Sequence, residues 1–224
     1  MRFFILFNLL IIAGNIFSQD CEKVASKIFS EMLNDYKKAF STLFQNYDIC
    51  KNNCKYNLQY IKFLSLSNEE IFNKINESDV KIAEECAKGK GSNSLLYYYY
   101  RAGRNEEIEN YSSEDISYIY YLAKKKDFCE IYKKNPDLGF GKPDAAYLLF
   151  KCGMIEDAKK IAEVPYKHRK MGYGKFFDFK WPEAIIHDLI IYKIYGIELN
   201  SNERKNVEEA KKHFPFLFEI YGFN

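Results

Sequence analysis

All six cysteines of the 224-residue chain, Cys21, Cys50, Cys54, Cys86, Cys129 and Cys152, fall after its first twenty residues, and this placement limits the fold more than any other feature. The segment before them is laid out as an export leader. Met1-Arg2 makes a short positive start, residues 3–12 are apolar apart from Asn8, and small or polar residues lead to a cleavage point between Ser18 and Gln19. The expected organisation is a signal peptide over residues 1–18 and a single all-α, helical-repeat-like domain over 19–224, secreted or periplasmic. The apolar run falls short of the roughly 20 residues that span a bilayer. No later segment is longer and equally apolar, so no stable membrane insertion is expected after cleavage. Ser18-Gln19-Asp20 is not the small-residue run that precedes a lipidated cysteine. In an oxidising compartment, an even set of cysteines reads as cross-links rather than nucleophiles. Zinc would need close ligand pairs with matching histidines, whereas His168, His187 and His213 lie far from the one close pair, Cys50 and Cys54. No metal or cofactor is expected.

Charge excludes one class of partner. Lys and Arg number 33 against 31 Asp and Glu, and one of those bases is Arg2 of the leader. A dedicated nucleic-acid binder would carry a strongly basic face, so no nucleic acid is expected. Tyr and Phe are abundant throughout, 19 of each, so the run Tyr97-Tyr98-Tyr99-Tyr100 reads first as composition carried on a helix.

Hydrophobic periodicity is helical almost everywhere, and no hairpin or strand alternation stands out. Over residues 22–47, Val24, Ile28, Met32, Tyr36, Phe40, Leu43 and Tyr47 recur at helical spacing without Pro or Gly, which predicts one long amphipathic N-terminal helix. Short helices follow. One spans residues 54–64, one starts at the capping box beginning at Ser67, and one over 79–88 is capped by Ser78. Residues 94–102 end at Gly103, and Ser112 to Asp115 caps a helix to about Lys125. Asp127 caps the helix bearing Cys129, Pro143 opens a helix to Cys152-Gly153, and residues 155–164 stop at Pro165. Trp181-Pro182-Glu183 opens an apolar helix to Tyr195. Ile185, Ile186, Leu189, Ile190, Tyr192 and Ile194 nearly encircle it, so it should be central. Asn202 caps a last helix to His213, and Pro215 precedes a short aromatic tail.

Three stretches repeat a pattern of apolar helix end, small residue, tight turn and acidic second helix. They are Leu95 to Ile108, Ile119 to Cys129, and Tyr147 to Ala158. The pattern resembles helical-hairpin repeats of the tetratricopeptide and Sel1-like kind, with Gly153 and Ala158 as the best match. The turn-to-turn spacings of Gly103, Lys124 and Gly153 are shorter than a regular tetratricopeptide array. The expected architecture is therefore all-α, with short antiparallel hairpins stacked as an irregular α-solenoid or orthogonal bundle behind the long N-terminal helix. Such folds present surfaces for protein partners, and that is the resemblance's implication here.

For the disulfides, Cys129 at the start of one helix and Cys152 at the end of the next meet if those helices are antiparallel. A continuous first helix would hold Cys21 and Cys50 at opposite ends. Cys21 is then expected to pair with Cys86, leaving Cys50 with Cys54.

Candidate chemistry lies in two places. Glu183 and His187, at i and i+4, share a helix face beside Asp188; with His168 they make a weak catalytic set of hydrolase type. The segment 165–175 is basic and aromatic. Tyr166, Lys167, His168, Arg169, Lys170 and Lys175, with Trp181, are candidates to bind a glycan or another anionic ligand, and Gly172 and Gly174 permit close backbone approach. Nucleophile and phosphate-loop motifs are absent, so binding is preferred to catalysis, with a protein partner first. The sequons at Asn76 and Asn110 would accept glycans in a eukaryotic host.

Overall fold

A computed structural model describes residues 20–88, 93–110, 117–171, 176–177 and 181–223. The expected leader and its cleavage point, Lys175, Gly172, Gly174 and the cap at Ser112 to Asp115 lie outside the described residues. Those residues are helical, with no strand among them, so the chain is all-α. Among them no helix is long and apolar enough to cross a membrane. They group into two compact units. One takes the described chain up to Leu64 with Glu69–Leu95; the other takes Ser65–Asn68 with the chain from Leu96 onward.

The expected long N-terminal helix is two helices. Helix α1 runs through residues 20–32 and α2 spans Tyr36–Gln45. Asn34 and Asp35 break the periodic pattern, because short polar side chains offer the backbone a competing partner. Asp35 is extended (φ −151°) and its carboxylate accepts from Lys38 N at 3.1 Å, capping α2. Thr42 Oγ1 then donates to the buried Glu31 Oε2 at 2.6 Å, fastening α2 to α1.

That break redirects the disulfides. About 20 Å of helix out and 15 Å back, at 1.5 Å per residue, return the chain to its start. Cys21 therefore pairs with Cys50 in the short helix α3 (Tyr47–Cys50), with Cα atoms 5.4 Å apart. Helix α4 (Cys54–Leu66), the four-residue α5 (Glu69–Phe72) and α6 (Glu77–Ala87) make a second reversal. It brings Cys54 to Cys86, Cα–Cα 5.3 Å. The expected pairs Cys21–Cys86 and Cys50–Cys54 are thus corrected, and the error came from assuming one unbroken helix. The cap of α6 moves as well. Asn76, not Ser78, accepts from Ser78 N and Asp79 N, and Asp79 returns a bond to Asn76 N. Asn76 Nδ2 also donates to Tyr47 OH at 3.0 Å, so the carboxamide of this sequon is engaged at both ends within the fold.

Helix α7 (Asn93–Arg101), which belongs to the second unit from Leu96 on, leads to a 3-10 turn (Glu107–Asn110) instead of a full second helix. Helices α8 (Tyr118–Lys124) and α9 (Phe128–Lys134) follow, the latter capped by Asp127 through Cys129 N and Glu130 N. Helix α10 (Pro143–Lys151) and α11 (Ile155–Lys170) form the hairpin with the most extensive helix–helix contact. Gly153 turns it at φ +81°, a conformation that excludes most side chains, while fully buried Ala145, Ala146 and Ala158 allow close approach. Cys129 bonds to Cys152 across this region, Cα–Cα 6.8 Å. Helix α12 (Pro182–Tyr195) is buried nearly all round, as its apolar circumference requires. The last charged helix, α13 (Ser201–His213), is capped by Asn200 rather than Asn202, with Glu203 completing a reciprocal box. The aromatic tail is itself a helix, α14 (Pro215–Tyr221), whose Phe218 and Leu217 are buried.

Pro165 does not stop its helix. Helix α11 continues to Lys170, so Tyr166 to Lys170 are helical instead of forming a loop. Local and tertiary contacts outweigh the missing amide. Lys167 pairs with Glu163 at 2.5 Å, Tyr166 stacks on Tyr195 with ring centres 4.2 Å apart, and four basic residues close the negative end of the helix. Replacing Pro165 with alanine restores a helix donor, and should stabilise the fold by roughly 2 kcal/mol once the lost rigidity of the unfolded chain is subtracted. Urea unfolding of Pro165→Ala checks this, and a lower midpoint would contradict it.

Candidate functional site

Helix α12 sends its ionisable side chains in two directions. Glu183 sits in the first turn, where an acid favours the positive end. Its Oε1 accepts from Tyr97 OH at 3.0 Å and its Oε2 from Trp181 Nε1 at 2.8 Å. His187, one turn on, is 40 % exposed, with Nε2 at 3.7 Å from Asp144 Oδ1. Asp144 is an acid the sequence did not single out. It lies in the first turn of α10, its side chain only 15 % exposed. Its Oδ1 accepts from Tyr221 OH and its Oδ2 from Tyr118 N, each at 2.9 Å. The rings above it pack closely. Tyr118 stacks on Tyr221 with centres 4.7 Å apart, and Tyr147 OH donates to the Tyr221 carbonyl. Five helices, α7, α8, α10, α12 and α14, thus meet through one polar cluster.

Burial governs its protonation. The Asp144 carboxyl is pushed above the usual aspartate value by desolvation, against the opposing pull of His187, the Tyr118 amide and Tyr221. Tyr97 and Tyr221 are held far above the ordinary phenol value, by burial first and then by the Glu183 and Asp144 charges. Both phenols therefore remain donors. Tyr97, first read as composition, is a member of this cluster.

Asp188 leaves α12 on another side. It is buried, its Oδ2 accepts from Phe177 N at 2.8 Å, and its Oδ1 lies 3.2 Å from Arg169 Nε. Desolvation raises its carboxyl too, opposed by the Phe177 amide and Arg169. Phe177 is one of two non-glycine residues at positive φ (59°) among those described, and its buried ring meets Tyr192 edge-on at 5.2 Å. Holding such a residue left-handed costs on the order of 1–3 kcal/mol, and the amide bond to Asp188 offsets it.

Beside this pair lies an open cleft of about 740 Å³. Three of the sequence-stated binding candidates, Tyr166, Arg169 and Lys170, line it together with Tyr192 and the Asn-rich start of α13. Lys167 and His168 are exposed on the same turns of α11, and Trp181 is tied to Glu183. Asn202 was missed because an asparagine at a helix start reads locally as a cap, and Asn206, inside α13, reads as an ordinary polar helix position. The chain was compared with models of known protein families, with curated proteins and with solved structures, and none matches it.

Proposed function

We propose that the chain is an exported helical-hairpin module that binds another protein through the stretch from α8 to α10. Three large apolar side chains carry the reading. Leu122 (37 % exposed), Ile131 (38 %) and Phe140 (56 %) all lie in the span 94–164 that the tetratricopeptide likeness covers, and outside the core. Single exposed apolar residues are ordinary on any surface, but an exposed aromatic close in sequence to two exposed aliphatics fits the anchor of a protein interface. The Cys129–Cys152 bridge keeps this region in one shape, which lowers the ordering cost of binding. Three disulfides and the leader-like start fit delivery to an oxidising compartment. The test is capture from that compartment with wild type and Phe140→Asp side by side. Wild type should recover one protein in stoichiometric amount, and the variant should recover at least about tenfold less at an unchanged unfolding midpoint. No specific protein, or equal recovery by both, would sink the reading.

A hydrolase is the second reading, and the half-exposed His187 beside the mostly buried Asp144 is the observation that favours it, since a neighbouring carboxylate can orient an imidazole. Full retention of any hydrolytic activity by a folded His187→Ala variant would end it.

A further inference from the structure

We infer that Asn76 is a site of N-linked glycosylation that is open to the transferring enzyme only until α6 packs, so that folding of the N-terminal unit sets its occupancy. The acceptor sequence is Asn76-Glu77-Ser78, without proline at its middle position, and all three residues are exposed. The same residues start α6, where the Asn76 carboxamide is held by both ends. Its Oδ1 accepts from Ser78 N at 3.0 Å, from Asp79 N at 3.1 Å and from the Ser78 hydroxyl at 2.5 Å. Its Nδ2 donates to Tyr47 OH at 3.0 Å, and that hydroxyl donates to the fully buried Asp79 at 2.7 Å.

In the transfer, Nδ2 attacks the anomeric carbon of a lipid-linked oligosaccharide. A C–N bond forms and the bond from that carbon to the pyrophosphate oxygen breaks. The lipid pyrophosphate leaves with the electron pair, and one Nδ2 proton is lost to solvent. An amide nitrogen is a poor nucleophile because it shares its lone pair with the carbonyl, so the enzyme must take the carboxamide out of its resting contacts. Four hydrogen bonds oppose that step in the folded unit, and the unfolded chain has none of them. The Cys54–Cys86 bridge adds to the restraint, since it ties the far end of α6 to the start of α4. Transfer therefore precedes packing. The product still fits the fold, because Oδ1 remains an acceptor and the nitrogen keeps one hydrogen for Tyr47 OH. The glycan then projects from an exposed helix start at no burial cost.

This inference rests on the export reading only for where the chain meets the enzyme, and the test supplies enzyme and donor directly. Unglycosylated full chain carrying Asn110→Gln, which leaves Asn76-Glu77-Ser78 as the acceptor sequence, is prepared oxidised and also reduced and alkylated. Each form is incubated with a eukaryotic oligosaccharyltransferase and a lipid-linked oligosaccharide, and the glycan is located by peptide mass mapping. The reduced chain should be modified on Asn76, and the oxidised chain at least about tenfold more slowly, because the enzyme must wait for local opening. Ser78→Ala should abolish transfer to the reduced chain. Tyr47→Phe, which deletes one of the four bonds, should speed transfer to the oxidised form by roughly fivefold. A reduced chain without glycan on Asn76 overturns the proposal, and equal rates for the two forms overturn it as well. Either failure leaves the partner surface of α8 to α10 untouched, since that surface takes no part in the assay.

Discussion

Replacing Asp144 with alanine should lower the unfolding free energy by about 3 kcal/mol, because it strands two buried donors at once. Tyr221 OH and Tyr118 N both terminate on this carboxylate, and no water-facing route replaces it at 15 % exposure. Asp144→Asn should cost only about 1 kcal/mol, since its amide keeps one acceptor and the Tyr221 hydroxyl can turn to accept from the new NH₂. The pair also separates hydrogen bonding from charge. Burial raises the Asp144 carboxyl above its unfolded value, so the folded state holds its proton to higher pH than the unfolded chain does. Stability from this group is therefore greatest below the usual aspartate pKa and falls as pH rises through that value towards the raised one. The wild type's advantage over Asp144→Asn should shrink across this window, and Asn, which does not titrate, should show none of that slope. Urea midpoints of the three proteins from about pH 3 to 7 decide the matter. An alanine variant as stable as wild type would mean that the five-helix cluster does not hold the second unit together.

Reducing the disulfides should be the larger perturbation, and an uneven one. The bridges close loops with sequence separations of 29, 32 and 23 residues. On the chain-entropy account, each loop of this size is worth about 3.5 kcal/mol. Two of the three staple the N-terminal unit, so full reduction should cost that unit about 7 kcal/mol against about 3.5 in the other. Hydrogen exchange under reducing conditions should then show residues 20–88 losing protection while α10–α12 retain theirs. The double replacement Cys54→Ser with Cys86→Ser should reproduce half the effect. Connectivity has its own check, since Lys51 lies between Cys50 and Cys54 and trypsin parts them. Non-reducing peptide maps should show Cys21 joined to Cys50 and Cys54 joined to Cys86; a peptide pair joining Cys50 to Cys54 would refute the arrangement.

Most helix starts and stops were legible because they are local. Asp127, Pro143, Gly103 and Gly153 act on backbone within a turn of themselves, and their signals hold in the structure. Asn34-Asp35 carried the same kind of signal, but the unbroken apolar stripe on either side of it outweighed two polar residues. Pro165 failed in the opposite sense. Its local rule says stop, and contacts to Tyr195, Glu163 and Asp188 carry the helix past it. The site was half legible. Segment 165–175 and Glu183-His187 were both singled out, and Tyr166, Arg169 and Lys170 do line a cleft. Asp144, Tyr97, Tyr221, Asn202 and Asn206 were not, since nothing in their neighbours distinguishes them from caps and core.

From the sequence alone came the helical class, the turn positions, the central burial of α12 and the set of six cysteines available for cross-linking. All of these depend on spacing or residue type over a few positions. The pairing of Cys129 with Cys152 was legible too; only the tertiary structure decided how Cys21, Cys50, Cys54 and Cys86 pair, which acid faces His187, and that the basic stretch finishes a helix at the edge of a cleft. These depend on where helices reverse direction, and one capped break at Asp35 changes the partner of every residue before it. Pairing across tens of residues is set by the sum of those reversals, a quantity that no local pattern records.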